Sequence, residues 1–294
     1  MIKRFFQGIL MGIADLIPGF SAGTMAITLG IYDKLISIIG FFFQTLKKWK
    51  ENLLFLFPVV LGMLVSLILF SGIFKYLLTH YRVFTFSFFI GIVIATTTHI
   101  YRAHFKNNIS QLLTKKSNLF SLLIGLLIPL LMVFFALKKQ VLFLPSEVFL
   151  YFHFKIYFLL FIVGMIGSIA MILPGISGSL ILILLGFYDA VIGMIQPNVI
   201  LSYLFPILVF GLGIIIGLIL ASFSISKLIK IFPFQTISFM IGILIGSFIY
   251  MLSIEIFKNN LHLGSFVYNI TSLLLIIMGF IFTHFFGKID KITP

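Results

Sequence analysis

Six stretches of the chain are almost continuously apolar, at about 53–78, 83–101, 119–137, 199–222, 235–256 and 267–286. Each is close to the ~20 residues that cross a bilayer as a helix, so the pattern predicts six transmembrane helices. Two further apolar regions, 5–43 and about 148–195, are interrupted by Pro18-Gly19 and Pro174-Gly175. The run from Gly8 to Ile17 is too short to cross: about ten residues at 1.5 Å each make ~15 Å, half of a ~30 Å hydrocarbon core. Pro18 removes a backbone donor and Gly19 loosens the chain, so the helix ends there and another begins. The expected form is a re-entrant hairpin, tolerated only against protein or a wet cavity. The apolar run before Pro174 reaches back to about Ile156, so this second motif is either re-entrant or fully spanning.

The two interrupted regions are copies of one another. Gly8 to Ile39 reads GILMGIADLIPGFSAGTMAITLGIYDKLISII, and Gly164 to Ile195 reads GMIGSIAMILPGISGSLILILLGFYDAVIGMI. They align without a gap and share Pro-Gly-x-Ser and Gly-x-Tyr-Asp at one spacing. Downstream, Leu56-Phe-Pro matches Leu204-Phe-Pro, Ser87-Phe-Phe-Ile-Gly-Ile matches Ser238-Phe-Met-Ile-Gly-Ile, and Ser121-Leu-Leu matches Ser272-Leu-Leu. The predicted fold is an all-α polytopic membrane protein of two repeats, 1–140 and 141–294. Each has a Pro-Gly-broken motif followed by three transmembrane helices. Three crossings separate the motifs, so they enter from opposite faces. Such inverted repeats place a transporter's site near the midplane, on discontinuous helices.

Basic residues set the orientation. With the N-terminus inside, Lys3, Arg4, Lys47, Lys48, Lys50, Arg102, Lys106, Lys115, Lys116, Lys227, Lys230, Lys288 and Lys291 fall inside. Lys75, Arg82, Lys138, Lys139 and Lys258 fall outside, so both termini are expected in the cytoplasm. Composition agrees with a membrane location: 61% of residues are apolar and 9% charged, against about 25% charged in soluble domains, and mean hydropathy is +1.26. The net charge of +13 is therefore a topology signal, and no stretch resembles a nucleic-acid-binding module. The absence of cysteine excludes disulfides and thiol chemistry. Met1-Ile-Lys-Arg-Phe-Phe resembles the start of a signal peptide, but Asp15 interrupts its apolar region and the motif recurs deep in the chain.

The chemistry concentrates at the breaks. After Pro18-Gly19 come Ser21, Gly23 and Thr24; after Pro174-Gly175 come Ser177, Gly178 and Ser179. Helix N-termini carry unpaired N–H groups and partial positive charge, and hydroxyls add donors. Two such ends converging would cradle a phosphate or carboxylate without a formal charge. Alternatively, Ser21 and Ser177 cap their own helices and the glycines serve close helix contact; both roles are compatible. Asp15, Asp33 and Asp189 are intramembrane carboxylates, which mark ion pathways or proton relays. Asp33 and Asp189 are equivalent positions and also suit interfacial anchoring, whereas Asp15 faces Met171 in the other copy. Arg82, Arg102 and Lys155 are candidates for pairing with an anionic headgroup or for anchoring topology. The histidines, including His99, His153, His262 and His284, have no metal-site spacing. Neither a cofactor site nor an acid–base pair, nucleophile triad or phosphate loop is present, so an enzyme is not expected.

The segment Gly12-Ile-Ala-Asp-Leu-Ile-Pro-Gly-Phe-Ser-Ala-Gly-Thr and its partner Met171-Ile-Leu-Pro-Gly-Ile-Ser-Gly-Ser, each followed by Gly-x-Tyr-Asp, closely resemble the bacterial polyprenyl phosphate transporter family. Ala22 stands where that family's pattern has a second glycine. The resemblance implies a bacterial plasma-membrane flippase that returns undecaprenyl phosphate, a lipid carrier for wall polymers, to the cytoplasmic leaflet. Inward movement of an anion runs against an inside-negative potential, at ~2.3 kcal/mol per charge per 100 mV. Coupling to an inward H⁺ or Na⁺ is therefore expected, with Asp15 as the principal carrier. The alternative is a secondary transporter of a small soluble anion.

Overall fold

The structure is a computed structural model describing residues 1–17, 19–42, 44, 46–105, 115–137, 154–196, 200–258 and 266–286. Pro18, Lys106, Lys138, Lys139, His153, His262, Lys288, Lys291 and positions 148–153 of the second motif lie outside the described residues. Among those described there are twelve α-helices and no strand. In chain order they are α1 (Ile2–Asp15), α2 (Ala22–Thr28), α3 (Tyr32–Gly40), α4 (Trp49–His80), α5 (Arg82–Phe105), α6 (Lys116–Leu137), α7 (Phe154–Ile172), α8 (Gly178–Leu184), α9 (Tyr188–Met194), α10 (Leu204–Ile231), α11 (Pro233–Lys258) and α12 (Phe266–Phe286).

Seven of these, α4 to α7 and α10 to α12, are long and apolar enough to cross a membrane. Six correspond to the stretches predicted from hydropathy, and the seventh, α7, is the first arm of the second motif. The boundaries differ where polar residues continue a helix past its apolar run. Thus α10 begins at Leu204 rather than 199 and continues through Ser222, Lys227 and Lys230 to Ile231. A larger difference lies after each Pro-Gly. One continuous second arm is expected there, but Gly30 and Gly186 adopt positive φ, +64° and +77°. Those values suit glycine and break the arm again, so each motif has three helices.

The first helix of each motif lies parallel to the first long helix after it. Gly8 abuts the Val59 backbone and Gly12 abuts Met63, so α1 runs alongside α4; Gly164 abuts Phe210, so α7 runs alongside α10. At 14 residues α1 is ~21 Å long, and it ends beside the middle of the 32-residue α4. The 19-residue α7 likewise stops well short of the far end of α10. Close contact explains why glycine is required here. A Cβ on Gly62 would strike the Phe5 carbonyl, and one on Gly213 the Phe161 carbonyl. Phe5 and Phe161 match when the ungapped alignment of the motifs is extended three residues upstream.

The remaining spans exchange partners between the two halves of the chain. Gly91 on α5 meets the Ile276 backbone of α12, and Gly242 on α11 meets the Leu122 backbone of α6. The reciprocal contacts are Gly279 with Phe88 and Gly125 with Phe239. This contact register pairs Gly62 with Gly213 and Gly91 with Gly242. The second pairing is in phase with the Ser87/Ser238 match. The first is not in phase with Leu56-Phe-Pro and Leu204-Phe-Pro, which therefore do not occupy equivalent places. Nor do Ser121 and Ser272, since Gly125 pairs with Gly279. Helix contact at glycine, rather than local sequence likeness, fixes the register.

Gly62→Ala and Gly213→Ala should each lower the thermal unfolding midpoint in detergent by several degrees, as overpacking costs ~1–3 kcal/mol. Gly72→Ala and Gly211→Ala, where an added Cβ meets nothing within 4 Å, should leave it unchanged or raise it slightly.

Candidate functional site

An interrupted helix leaves its last carbonyls without intrahelical partners, and in hydrocarbon they cannot turn to water. The first motif supplies the partners that the second lacks. Tyr32 Oη donates to the Ile172 carbonyl at 3.1 Å, and Ser21 Oγ donates to the Leu173 carbonyl at 3.4 Å. The Gly175 N–H donates to Thr24 Oγ1 at 2.7 Å and to Ser21 Oγ at 3.1 Å. The start of α2 therefore touches the Pro174-Gly175 turn. Gly19 and Gly175, with φ of +82° and +86°, turn the chain against α11, where Gly19 lies under Tyr250 and Gly175 beside Ser247.

Ser21 also caps α2, accepting the Thr24 N–H at 3.2 Å. Asp15 Oδ1 accepts the Ala22 N–H at 2.8 Å, tying the start of α2 back to the end of α1. Met171 occupies the matching place in the second motif and cannot do this. Ser177 precedes α8 without a side-chain cap, and its hydroxyl is paired with Ser179 Oγ at 2.7 Å. Further out, Thr28 Oγ1 and Thr96 Oγ1 are 2.7 Å apart and the Phe20 ring rests on Phe89, so α2 runs alongside α5.

The junction is closed in this conformation. Ser21, Thr24 and Thr28 are fully buried and Ser177 nearly so. A Cβ on Gly23 would approach the Ile172 carbonyl at 2.8 Å, so this glycine allows the motifs to meet. The donors expected to face an anion between the two turns thus bind one another. The open space lies to one side. A cavity of about 420 Å³ runs between α1, α4, α7, α8, α9 and α10. Its polar lining includes Asp15, Ser168, Ser179 and Tyr188, set in apolar walls such as Leu67, Phe210 and Ile214. Of the residues singled out in the sequence, Asp15, Gly178 and Ser179 line it, while Gly19, Ser21, Gly23, Thr24 and Gly175 form the junction behind it. Pro174 is buried in the same turn.

The other candidate residues are dispersed. Asp33 and Lys34 border a separate cavity of about 260 Å³ with Ser226 and Lys230, and Asp33 Oδ1 is buried there without a hydrogen-bond partner. Its counterpart Asp189 is exposed. Arg82 and Arg102 stand near opposite ends of α5, ~30 Å apart along the axis. Arg82 lies over the Phe86 ring. Lys155 is exposed at the start of α7. A third cavity, about 490 Å³ and almost wholly apolar, lies on the other face of α1 and α2, lined by Met25, Phe74, Phe84, Phe88 and Phe282 among others. Tyr32, Thr96, Ser168 and Tyr250 were not legible as site residues. Only the Gly-x-Tyr-Asp repeat pointed toward Tyr32 and Tyr188.

Seven membrane-length helices around two interrupted helical motifs define a multi-pass membrane protein. The chain belongs to the VCA0040-like family, whose family model, described as undecaprenyl phosphate translocase-like, matches residues 11–264. It is 31% identical over 258 residues to a polyprenyl-phosphate transporter of Vibrio cholerae, covering 84% of this chain and 76% of that protein. It is 31% identical over 248 residues to a polyprenyl-phosphate transporter of Staphylococcus aureus, covering 83% of each. No solved structure matches the chain.

Removing the junction hydroxyls should destabilise the fold. Thr24→Val leaves the buried Gly175 N–H with only its longer bond, and Ser21→Ala combined with Thr24→Val leaves it unpaired, at ~1–3 kcal/mol. Thermal unfolding should show the double variant well below either single one, and Ser177→Ala, which touches no cross-motif partner, closest to the unaltered protein.

Proposed function

We propose that this chain moves polyprenyl phosphate, undecaprenyl phosphate in particular, between the leaflets of a bacterial plasma membrane, inward and coupled to a cation. In this reading residues 1–140 and 141–294 are inverted repeats and both termini are cytoplasmic. The observation that carries it is the meeting of two interrupted helices, each ending part-way along a long neighbour, beside a 420 Å³ cavity with a few polar groups in apolar walls. Two relatives named for this lipid, each alike over most of the chain, supply the substrate class.

The substrate's physics agrees with the arrangement. A polyprenyl tail can remain in lipid or in an apolar recess such as the 490 Å³ cavity, so only the phosphate requires a polar path. Dehydrating it without donors would be prohibitive. Ser168, Ser179 and Tyr188 offer hydroxyls to the cavity, and Gly178, which borders it, lets α8 approach the Gly167 carbonyl of α7. Ser21, Thr24, Gly175 and Ser177 become available to it only when the junction parts. Arg82, over the Phe86 ring at the start of α5, would attract the headgroup on its approach, whereas Arg102 and Lys155, at distant helix ends, serve as topology anchors.

Asp15 gives the reason for coupling. A carboxylate and a phosphate in one small low-dielectric cavity repel strongly, so a proton or Na⁺ must accompany the lipid. Asp33 and Asp189 lie outside this cavity and contribute to ion access at the two motif ends. Apolar walls favour a lipid over the alternative, a small soluble anion.

The test is headgroup movement of undecaprenyl phosphate in reconstituted vesicles. The protein should accelerate it well beyond empty vesicles, and an imposed H⁺ or Na⁺ gradient should accelerate it further. Asp15→Asn keeps an oxygen for the Ala22 N–H, so the variant should fold while losing the gradient dependence. A rate equal to that of protein-free vesicles would overturn the transport reading, and equal rates with and without both gradients would overturn the coupling.

A further inference from the structure

The two motifs are alike in sequence but not in environment. Matched by the ungapped alignment, Ile27 is 1% exposed and Ile183 37%, Leu29 is 6% and Leu185 39%, and Ile36 is 2% and Ile192 41%. The first motif is almost fully enclosed; the second is packed on one side, where Leu180, Ala190 and Met194 are buried, and open on the other. Motif one reaches motif two through Tyr32 on the Ile172 carbonyl and Gly23 against the same carbonyl. The matching residues are Tyr188, Leu16 and Ser179. These do not touch in that way; all three line the 420 Å³ cavity. That cavity therefore lies where the mirror image of the closed contact would form.

The same asymmetry holds further out. Helix α3 is seated on α10, with Gly40 against the Phe223 backbone and the Phe41 ring 5.3 Å from that of Phe223. In the contact register that pairs Gly62 with Gly213, the residue of α4 matching Phe223 is Gly72. A Cβ there meets nothing within 4 Å, so that part of α4 is uncovered where α9 would sit.

We propose that the protein has a second conformation in which the motifs exchange environments: α8 and α9 dock on α1 and α4, Tyr188 donates to the Leu16 carbonyl, and α2 and α3 leave α7 and α10. This rests on the transport reading above, since inverted repeats that trade places open a site to alternate sides of the membrane. Ser179 brings a side chain where motif one has Gly23, so its hydroxyl comes to face the Asp15 and Leu16 carbonyls. One matched pair, Asp15 and Met171, lines the present cavity. Exchange places the same pair on the cavity that opens from the other side. Asp15 is then reached from both cavities in turn, while the Ser21–Thr24–Gly175 bonds form in one state only.

Because the chain has no cysteine, engineered thiols can report both states in the full-length protein. Ser37→Cys with Ser226→Cys spans the α3–α10 cavity seen here. The matched pair is Gly193→Cys with Lys75→Cys, on α9 and α4. In vesicles containing polyprenyl phosphate, a short thiol crosslinker should join both pairs, and each crosslink should stop headgroup movement. Tyr32→Phe should shift the ratio of the two crosslinks toward the second pair, and Tyr188→Phe toward the first, each about five-fold for one net hydrogen bond. Joining of the first pair alone, with or without lipid, in protein that still moves the headgroup would overturn this proposal and leave the transport reading intact. Joining of both pairs in protein that moves no headgroup would support the exchange and overturn the transport reading. Tyrosine variants that leave the ratio unchanged would overturn the contacts assigned to the two states.

Discussion

A helix that stops inside hydrocarbon must have its open end completed by other protein groups, and this molecule is organised around meeting that demand. The carbonyls left at the end of α7 receive Tyr32 and Ser21, and the amide of Gly175 finds Ser21 and Thr24. None of these bonds is local in sequence. The first half of the chain thus completes the second at the point where it is weakest. The exchange of partners between α5 with α12 and α6 with α11 holds those halves in the alignment the bonds require.

The same constraint accounts for the glycines at the long helix contacts. Apolar surface drives little association between helices in lipid, so close backbone approach has to supply the attraction. Gly62, Gly91, Gly213 and Gly242 place backbone against backbone, and two of them, Gly62 and Gly213, fix the relative height of α1 on α4 and of α7 on α10. Those heights determine where the broken helices end, and hence where the junction and its cavity lie.

Much of this was legible in the sequence. Six apolar runs gave six spans, and the duplicated Pro-Gly and Gly-x-Tyr-Asp marked both motifs. The second break, at Gly30 and Gly186, was not, because an isolated glycine in an apolar run is usually tolerated inside a helix and only φ distinguishes the cases. The junction partners were hidden for a different reason. Ser21 and Thr24 read as donors awaiting an anion, whereas in the folded chain they serve the backbone of a motif some 150 residues away. Hydroxyls within hydrocarbon answer to whichever partner the tertiary fold presents, and sequence spacing does not reveal it. Ser168, conversely, looks ordinary in the sequence, and only the cavity gathers it with Asp15.

That Asp15 has Met171 for a counterpart bears on how such a protein can come to exist. In an assembly of two identical subunits, every side chain near the symmetry axis occurs twice, and a single carboxylate cannot be placed there. Joining both motifs in one polypeptide lifts that restriction. The fused chain can carry an odd number of charges at its centre, a stoichiometry closed to any symmetric pair.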